Sequence, residues 1–223
     1  MRQVTEKPDS FICLPSGESP TGTLKYLVQF AKEGKLDFSH CRFIGLDEWI
    51  GIEEHTQGST KYYLYDHFFK HLNLSSKNLI FFDSLNDPAK ECKRIDALVQ
   101  QNGPIDLMLV GIGMNGHIGL NEPGVDLNSY AHYIDLDPLT VTVAQKYFTK
   151  ETQLEKGITL GAKHMLEAKK LVLIASGKKK AAIVSQALEG PVTNQVPASV
   201  LQDHPDSYAF LDEDAASELS GKK

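Results

Sequence analysis

Short apolar runs alternate with longer amphipathic stretches along this chain. The apolar runs predict buried strands over 11–14, 43–46, 79–82, 105–110, 171–175 and 208–211. Leu24, Leu27, Val28 and Ala31 follow the i, i+3, i+4, i+7 spacing of an amphipathic helix, which predicts a helix over 23–33. Similar stretches predict helices over 62–72, 89–101 and 179–188.

Unbroken apolar strands separated by helices are typical of a parallel sheet that helices cover on both faces. We therefore predict a single α/β domain over 1–223 with a mostly parallel, Rossmann-like sheet. No linker, internal repeat or low-complexity tract divides the chain. In such sheets the ligand binds at the C-terminal ends of the strands. That rule selects the four loops that follow Leu14, Leu46, Val110 and Ala175.

Charge and composition exclude several classes of protein. The chain has 23 Lys and Arg against 29 Asp and Glu in 223 residues, a formal net charge of −6. This balance argues against nonspecific nucleic-acid binding, which needs a positive field over the phosphates. No apolar run approaches the roughly 20 residues of a membrane-spanning helix, and 1–10 is too polar for a signal peptide. Cys13, Cys41 and Cys92 lack the spacing of a metal site and predict free thiols, so we expect a cytoplasmic enzyme without a metal.

The first and fourth loops suit an anion. Loop 15–23 has two glycines and four hydroxyl residues between a strand and a helix, where backbone N–H groups can bind a phosphate. It lacks the lysine of a Walker motif, which disfavours a nucleoside triphosphate. Loop 176–180 adds three lysines, one of which could reach the same anion. The alternatives are a tight turn with a Ser or Thr cap in the first loop and a solvated helix N-terminus in the fourth.

The second and third loops carry titratable side chains. Asp47 and Glu48 follow a strand, and adjacent residues of an extended chain point to opposite sides, so at most one faces a ligand. Asp47 is the candidate general base, and a helix cap or surface pair is the alternative. In the third loop Glu122 follows His117 by five residues, among glycines. A neutral histidine oriented by a carboxylate can transfer a proton near neutral pH, although a lone loop histidine is more often structural.

Four motifs, in order along nearly the whole chain, resemble those of the glucosamine/galactosamine-6-phosphate deaminase (isomerase) family. They are Leu-Pro-Ser-Gly at 14–17, Leu-Asp-Glu-Trp at 46–49, Gly-Met-Asn-Gly-His-Ile-Gly-Leu-Asn-Glu-Pro at 113–123 and Pro-Ala-Ser-Val-Leu at 197–201. The resemblance implies that an amino-sugar 6-phosphate becomes a ketose 6-phosphate with loss of ammonia and without a cofactor.

The resemblance also implies roles for individual residues. His117 would open the pyranose ring, with Glu122 orienting it and Asn115 beside it in the catalytic set. Asp47 would move a proton between C2 and C1 as general base. The substrate phosphate would be bound by Ser16, Gly17, Ser19, Lys180 and Lys146.

The chain departs from the better-known glucosamine members of this family. Asn115 stands where many have Asp, so Glu122 is expected to carry more of the tuning of His117. Glu18 stands where Gly or Ser is usual, and its carboxylate must point away from the phosphate or repel it. Lys146 aligns with a lid arginine, so a bidentate phosphate contact is lost. The first motif also comes early, which predicts that an opening strand and most of a helix are absent.

The choice of amino sugar depends on smaller features. Trp49, 58–59 and 157–161 look more like galactosamine members, so galactosamine 6-phosphate is the expected substrate and tagatose 6-phosphate its product. The alternative is glucosamine 6-phosphate, giving fructose 6-phosphate. Trp49 could donate to the C4 hydroxyl that distinguishes the epimers, or simply pack in the core. A 6-phosphogluconolactonase and a sugar-phosphate sensor are less favoured, and a homo-oligomer is considered.

Overall fold

The computed structural model describes residues 2–221, so Met1, Lys222 and Lys223 of the predicted 1–223 domain lie outside the described residues. The α-helices are α1 (Arg2–Glu6), α2 (Glu18–Lys32), α3 (Thr60–His67), α4 (Pro88–Asn102), α5 (Pro138–Ala144), α6 (Ala162–Glu167) and α7 (Ala181–Glu189). The strands are β1 (Phe11–Leu14), β2 (Arg42–Gly45), β3 (Asp47–Trp49), β4 (Leu79–Ile80), β5 (Leu107–Val110), β6 (His132–Asp135), β7 (Lys156–Thr159), β8 (Leu171–Ala175) and β9 (Ser207–Leu211). Within 2–221, no helix has the length and apolar character needed to cross a membrane.

A six-stranded sheet forms the centre of the molecule, in the order β4-β2-β1-β5-β8-β9. Every neighbouring pair in it is parallel. The chain builds outwards from β1 through β2 to β4, then returns to β5 on the other side of β1. The order therefore reverses between β1 and β5, and such a switch point opens a crevice at the C-terminal strand ends. The predicted fold class, a single α/β domain, is confirmed.

Alternate residues of β1 show why both faces of this sheet are covered. Phe11 and Cys13 pack in a core with apolar residues of α4 and α7. Ile12 and Leu14 point to the opposite face and pack with residues of α2 and α3. A strand buried on both faces has no polar side to show, which explains its unbroken apolar sequence. The three cysteines are free, as predicted, and all three are buried.

Helix α2 begins at Glu18, five residues earlier than its predicted start at Thr23. The segment from Ser19 to Gly22 has the composition of a turn, but Pro20 lies in the first turn of the helix, where its missing N–H costs no hydrogen bond. Gly17 is the N-cap residue, with φ at 103°. The predicted phosphate loop is therefore shorter than its composition indicated, and Ser19 belongs to the helix.

Two other helix boundaries differ from the prediction. Helix α3 ends at His67, and the backbone of Phe68 leaves helical geometry before a short 3₁₀ turn over Phe69–His71. The three lysines of the fourth loop form a 3₁₀ turn over Lys178–Lys180, so α7 begins only at Ala181.

The sequence pattern does not predict a second, antiparallel sheet with the order β3-β7-β6. Its strands are short and carry polar residues, so no apolar run marks them. Asp47 is paired with Thr159 of β7 in this sheet. The small sheet therefore fixes the backbone at the candidate base.

Candidate active site

The two adjacent acidic residues of the second loop have separate environments. Glu48 is 3% exposed, and its carboxylate accepts hydrogen bonds from the Ser59 hydroxyl at 2.8 Å and from the backbone N–H groups of Trp49, Thr60 and Lys61 at 2.9 to 3.0 Å. Two of those N–H groups belong to the first turn of α3, where a negative charge is favourable. Glu48 therefore links β3 to α3, and the hydrogen-bonding capacity of its carboxylate is already used within the protein.

Asp47 points the other way and stays unpaired. Its Oδ1 atom is buried without a hydrogen-bond partner among the described residues. Burial, and secondly the charge of Glu48, raise the pKa of Asp47 to about 7. A carboxylate with a pKa near neutrality is a stronger base than an ordinary one and can still ionise at neutral pH. Asp47 therefore has the unpaired oxygen atom and the raised pKa that suit a general base.

His117 is held through its Nδ1 atom. This nitrogen lies 3.0 Å from the Thr140 hydroxyl oxygen and 3.3 Å from Oε2 of Glu122. The imidazole is partly exposed, whereas Glu122 is buried. Nδ1 facing a carboxylate leaves Nε2 as the nitrogen available to a ligand. The structure thus brings His117 and Glu122 together.

The carboxylate of Glu122 is kept ionised in spite of its position. Burial alone raises the pKa of a carboxyl group, but the hydrogen bond and charge of His117, with hydrogen bonds from Thr140 and Asn115, outweigh burial and hold the pKa of Glu122 below its ordinary value. Asn115 Nδ2 donates to Glu122 Oε2 at 2.8 Å, and its Oδ1 accepts the backbone N–H of His117 at 3.2 Å. Asn115 therefore acts on the histidine through Glu122 and the backbone, not by contact with the ring.

Gly113 and Gly116, which precede His117 in the sequence, are each required for a different structural reason. A Cβ on Gly113 would lie 2.4 Å from the imidazole ring, so only glycine leaves room for His117 there. Gly116 has φ at +87°, and its carbonyl oxygen accepts the backbone N–H of Ala198 at 2.9 Å. The segment 197–201, the fourth motif of the family resemblance, therefore supports the histidine loop by a backbone hydrogen bond.

One residue of β7 joins the Asp47 loop to the His117 loop. The Thr159 hydroxyl accepts the backbone N–H of Leu120 at 3.2 Å and lies 3.3 Å from the carbonyl oxygen of Leu46. A Cβ on Gly119 would lie 2.7 Å from the same hydroxyl. The two loops consequently meet across β7 at one end of the main sheet. Neither Thr159 nor Thr140 was predicted as a site residue, because both lie in elements that were not predicted, and segment 157–161 was used only to choose between the two amino sugars.

Three of the predicted phosphate residues lie at the start of α2. Ser16 and Gly17 precede the helix, Ser19 lies in its first turn, and all three are half-buried. Lys180 Nζ donates to the Ile112 carbonyl oxygen at 2.6 Å, which places its ammonium group beside the histidine loop. Burial, followed by the charge of Lys146, lowers the pKa of Lys180 to about 8, and Glu18 opposes that shift.

Lys146 and Tyr147 cover the same helix start from a 3₁₀ turn, Gln145–Tyr147, that directly continues α5. Lys146 Nζ lies 2.7 Å from Oε2 of Glu18, so this carboxylate points to the lysine at the rim of the loop. The Tyr147 hydroxyl lies beside Gly17, where an added Cβ would be 3.4 Å from the hydroxyl oxygen. A groove of about 380 Å³ adjoins this cover and is lined by Ser16, Gly17, Trp49, Tyr63, Lys146 and Tyr147, among others.

Trp49 takes the core position that was one of its two predicted alternatives. Its ring is 7% exposed, and Nε1 donates to the Gly58 carbonyl oxygen at 3.1 Å. The indole donor is therefore already used inside the protein and is not available to a sugar hydroxyl. Among residues 2–221, no group of three or more His, Cys, Asp or Glu side chains is arranged to hold a metal ion.

Comparison with known proteins gives consistent results. The family described as glucosamine-6-phosphate isomerases/6-phosphogluconolactonase matches residues 1–209. A glucosamine-6-phosphate deaminase of Lachnoclostridium phytofermentans is 41% identical over 206 residues, which are 92% of this chain and 87% of the relative. A glucosamine-6-phosphate deaminase of Thermoanaerobacter pseudethanolicus is 36% identical over 218 residues, 97% of this chain and 86% of the relative.

Solved structures give the same fold. The structure of a monomeric glucosamine-6-phosphate deaminase of the NagB superfamily has a TM-score of 0.93 and 34% identity, and the match covers 97% of this chain and 90% of that one. A 6-phosphogluconolactonase from Trypanosoma brucei has a TM-score of 0.75 at 17% identity, covering 97% of this chain and 88% of that one. The second likeness concerns the fold alone.

Proposed function

We propose that this chain, which belongs to the glucosamine-6-phosphate isomerase/6-phosphogluconolactonase family, is a deaminase whose substrate is glucosamine 6-phosphate. The broader activity, isomerisation and deamination of an amino-sugar 6-phosphate, follows from the family and its deaminase relatives. One observation supports the proposal: Asp47 has a buried Oδ1 atom without a hydrogen-bond partner among the described residues and a pKa of about 7, and Thr159 joins its loop to the loop of the His117–Glu122 pair.

The proposed mechanism uses the side chains in sequence. His117 Nε2 transfers the proton that opens the pyranose ring. Asp47 then removes the proton at C2 and delivers a proton to C1, while one proton of the amino group moves to O1, which gives a ketimine. One water is consumed as this ketimine hydrolyses to fructose 6-phosphate and ammonia. Phosphate binding by Ser16, Gly17, Ser19, Lys180 and Lys146 would hold C2 against Asp47, so that binding far from the reacting carbon accelerates the reaction.

The expected preference for galactosamine 6-phosphate is not supported. That expectation depended partly on an indole donor for the C4 hydroxyl, and the Trp49 Nε1 atom donates to Gly58 instead. The relatives that match over most of the chain are named for glucosamine 6-phosphate. We therefore adopt the glucosamine epimer, which was the alternative.

The substrate is tested by steady-state measurement of kcat/KM for both epimers, with ammonia release as the readout. We expect the glucosamine epimer to be preferred, because no free donor of Trp49 rewards the galacto orientation. Hydrolysis of 6-phosphogluconolactone, measured alongside, distinguishes the lactonase. A preference for galactosamine 6-phosphate, or lactone hydrolysis without ammonia release, would reject the proposed substrate.

Lys180→Gln is expected to raise KM by about 10- to 100-fold, since one charged hydrogen bond to phosphate is lost. The pH dependence has a defined sign: because the pKa of Lys180 is about 8, the free enzyme loses this positive charge as the pH rises through 8. KM should therefore rise above pH 8 in the wild type. A Lys180→Arg variant keeps its charge and should show a flatter profile. An unchanged KM in Lys180→Gln would remove Lys180 from the phosphate site.

Thr140→Val tests the positioning of His117. We expect kcat to fall about 3- to 10-fold through loss of one hydrogen bond to Nδ1, with KM nearly unchanged. Thr140→Ser keeps the hydroxyl and should restore kcat. The pH–rate profile should change only in the valine variant. A fall in kcat shared by both variants would indicate a packing role for Thr140 and contradict the positioning role.

A cytoplasmic location is also proposed for this metabolic enzyme. The homo-oligomer considered from the sequence stays a prediction, and the similar protein of known structure is described as monomeric.

A further inference from the structure

We propose that Glu18 limits the affinity of the phosphate site, because its carboxylate competes with phosphate for Lys146. This inference rests on the proposed function, because it assumes that the substrate carries a phosphate. It concerns one side chain of the first loop that the resemblance did not explain.

The carboxylate of Glu18 engages a cation that an incoming phosphate needs. It binds Lys146 Nζ at 2.7 Å. The Tyr147 hydroxyl lies beside the same helix start, where a Cβ added to Gly17 would be 3.4 Å from it. A phosphate at the start of α2 would use both the backbone N–H groups of the first turn and a neighbouring cation. In the free protein this cation is therefore already bound to a carboxylate of the chain itself.

The charges around the loop influence one another. Lys146 lowers the pKa of Lys180 and Glu18 raises it, and the charged groups of Lys146 and Glu18 are themselves 2.7 Å apart. Two cations and one carboxylate leave a formal charge of +1 to attract a phosphate dianion, whereas removal of the carboxylate leaves +2. The first arrangement must bind an anion less strongly than the second.

The exposure of the pair sets the size of the expected effect. The Glu18 side chain is 73% exposed and that of Lys146 is 42% exposed, so their interaction is screened by water. Loss of a solvent-exposed ion pair, together with loss of repulsion towards the dianion, corresponds to about 3- to 10-fold in phosphate affinity. The effect should also shrink when salt is added.

The test compares Glu18→Gln with wild type by calorimetric titration of inorganic phosphate, at low and at physiological ionic strength. Steady-state KM and kcat for glucosamine 6-phosphate are measured on the same proteins. Glu33→Gln is the matched control, because Glu33 follows the other end of α2 and its carboxylate lies 2.7 Å from Lys35 Nζ. Lys146→Gln, alone and combined with Glu18→Gln, completes a double-mutant cycle.

We expect Glu18→Gln to lower the phosphate Kd and the KM by about 3- to 10-fold, and Glu33→Gln to change neither. The gain should be smaller when Lys146 is already replaced. An unchanged Kd would overturn the proposal, and a weaker Kd would instead make Glu18 a residue that positions Lys146 for phosphate. A gain of equal size without Lys146 would also overturn it, because the carboxylate would then act by repulsion alone. If the wild type releases no ammonia while the phosphate Kd shifts as expected, the proposed function fails and the competition stands.

Discussion

Asp47→Asn is expected to lower the turnover of glucosamine 6-phosphate by about 10²- to 10⁴-fold, because the amide keeps the shape of the side chain but cannot accept the C2 proton. The wild-type rate should itself depend on this group. Since the pKa of Asp47 is about 7, its basic form is lost as the pH falls through 7, and kcat/KM should fall with it. This acidic limb should be absent from the residual rate of the variant.

Stability measurements separate a catalytic loss from misfolding in this variant. A carboxyl group whose pKa is raised by folding stabilises the native state below its unfolded value near 4, and this contribution is lost as the pH rises towards 7. Replacing the buried carboxylate by a neutral amide should therefore leave the protein at least as stable as wild type at pH 8. Asp135→Asn, at an exposed position of β6, is the matched control and should retain full turnover. Near wild-type turnover of a folded Asp47→Asn protein would remove Asp47 as the base.

His117→Gln is expected to reduce kcat by a comparable factor of about 10² to 10⁴, because glutamine cannot exchange a proton with the ring oxygen near neutral pH. KM should change little, since the phosphate contacts lie at the start of α2. Initial rates over a range of substrate concentrations check both parameters.

His55→Gln supplies the control for His117→Gln. This histidine is exposed, its Nε2 atom lies 3.2 Å from its neighbour Glu54, and it is not among the residues proposed to bind or convert the substrate. It should leave kcat unaltered. If His117→Gln raised KM with kcat unchanged, the imidazole would be a binding group and not the group that opens the ring.

The centre of the main sheet could be predicted from the sequence because its central strands are buried on both faces. Segments 11–14 and 171–175 are continuous apolar runs, and such runs leave little choice of structure. The rule that ligands bind at C-terminal strand ends then selected the loops that contain Asp47 and His117. Local sequence patterns were therefore sufficient to predict the central strands and to select these loops.

The antiparallel sheet could not be predicted in the same way. Strand β3 consists of Asp47, Glu48 and Trp49, and no period of two can be read from three residues. Its conformation depends on pairing with β7, more than a hundred residues later in the chain. Thr140 reaches His117 by a similarly nonlocal route, through helix α5. Side chains brought in by distant pairing leave no local signal.

The hydrogen-bond and ion-pair partners of individual side chains could not be predicted from the sequence either. Glu48 and Asp47 are neighbours with similar intrinsic acidity, yet one accepts hydrogen bonds from α3 and the other is left unpaired. The direction of Glu18 towards Lys146 likewise depends on where the turn after α5 ends. These differences arise from tertiary packing, which decides which polar groups find a partner.

The central claim is tested most directly by product analysis after incubation of the purified protein with glucosamine 6-phosphate. Ammonia and fructose 6-phosphate are quantified in the same reaction, with Asp47→Asn as the matched inactive protein. The account predicts equal amounts of the two products from the wild type and almost none from the variant. Failure of the folded wild type to release ammonia, or release of ammonia without the ketose phosphate, would contradict it.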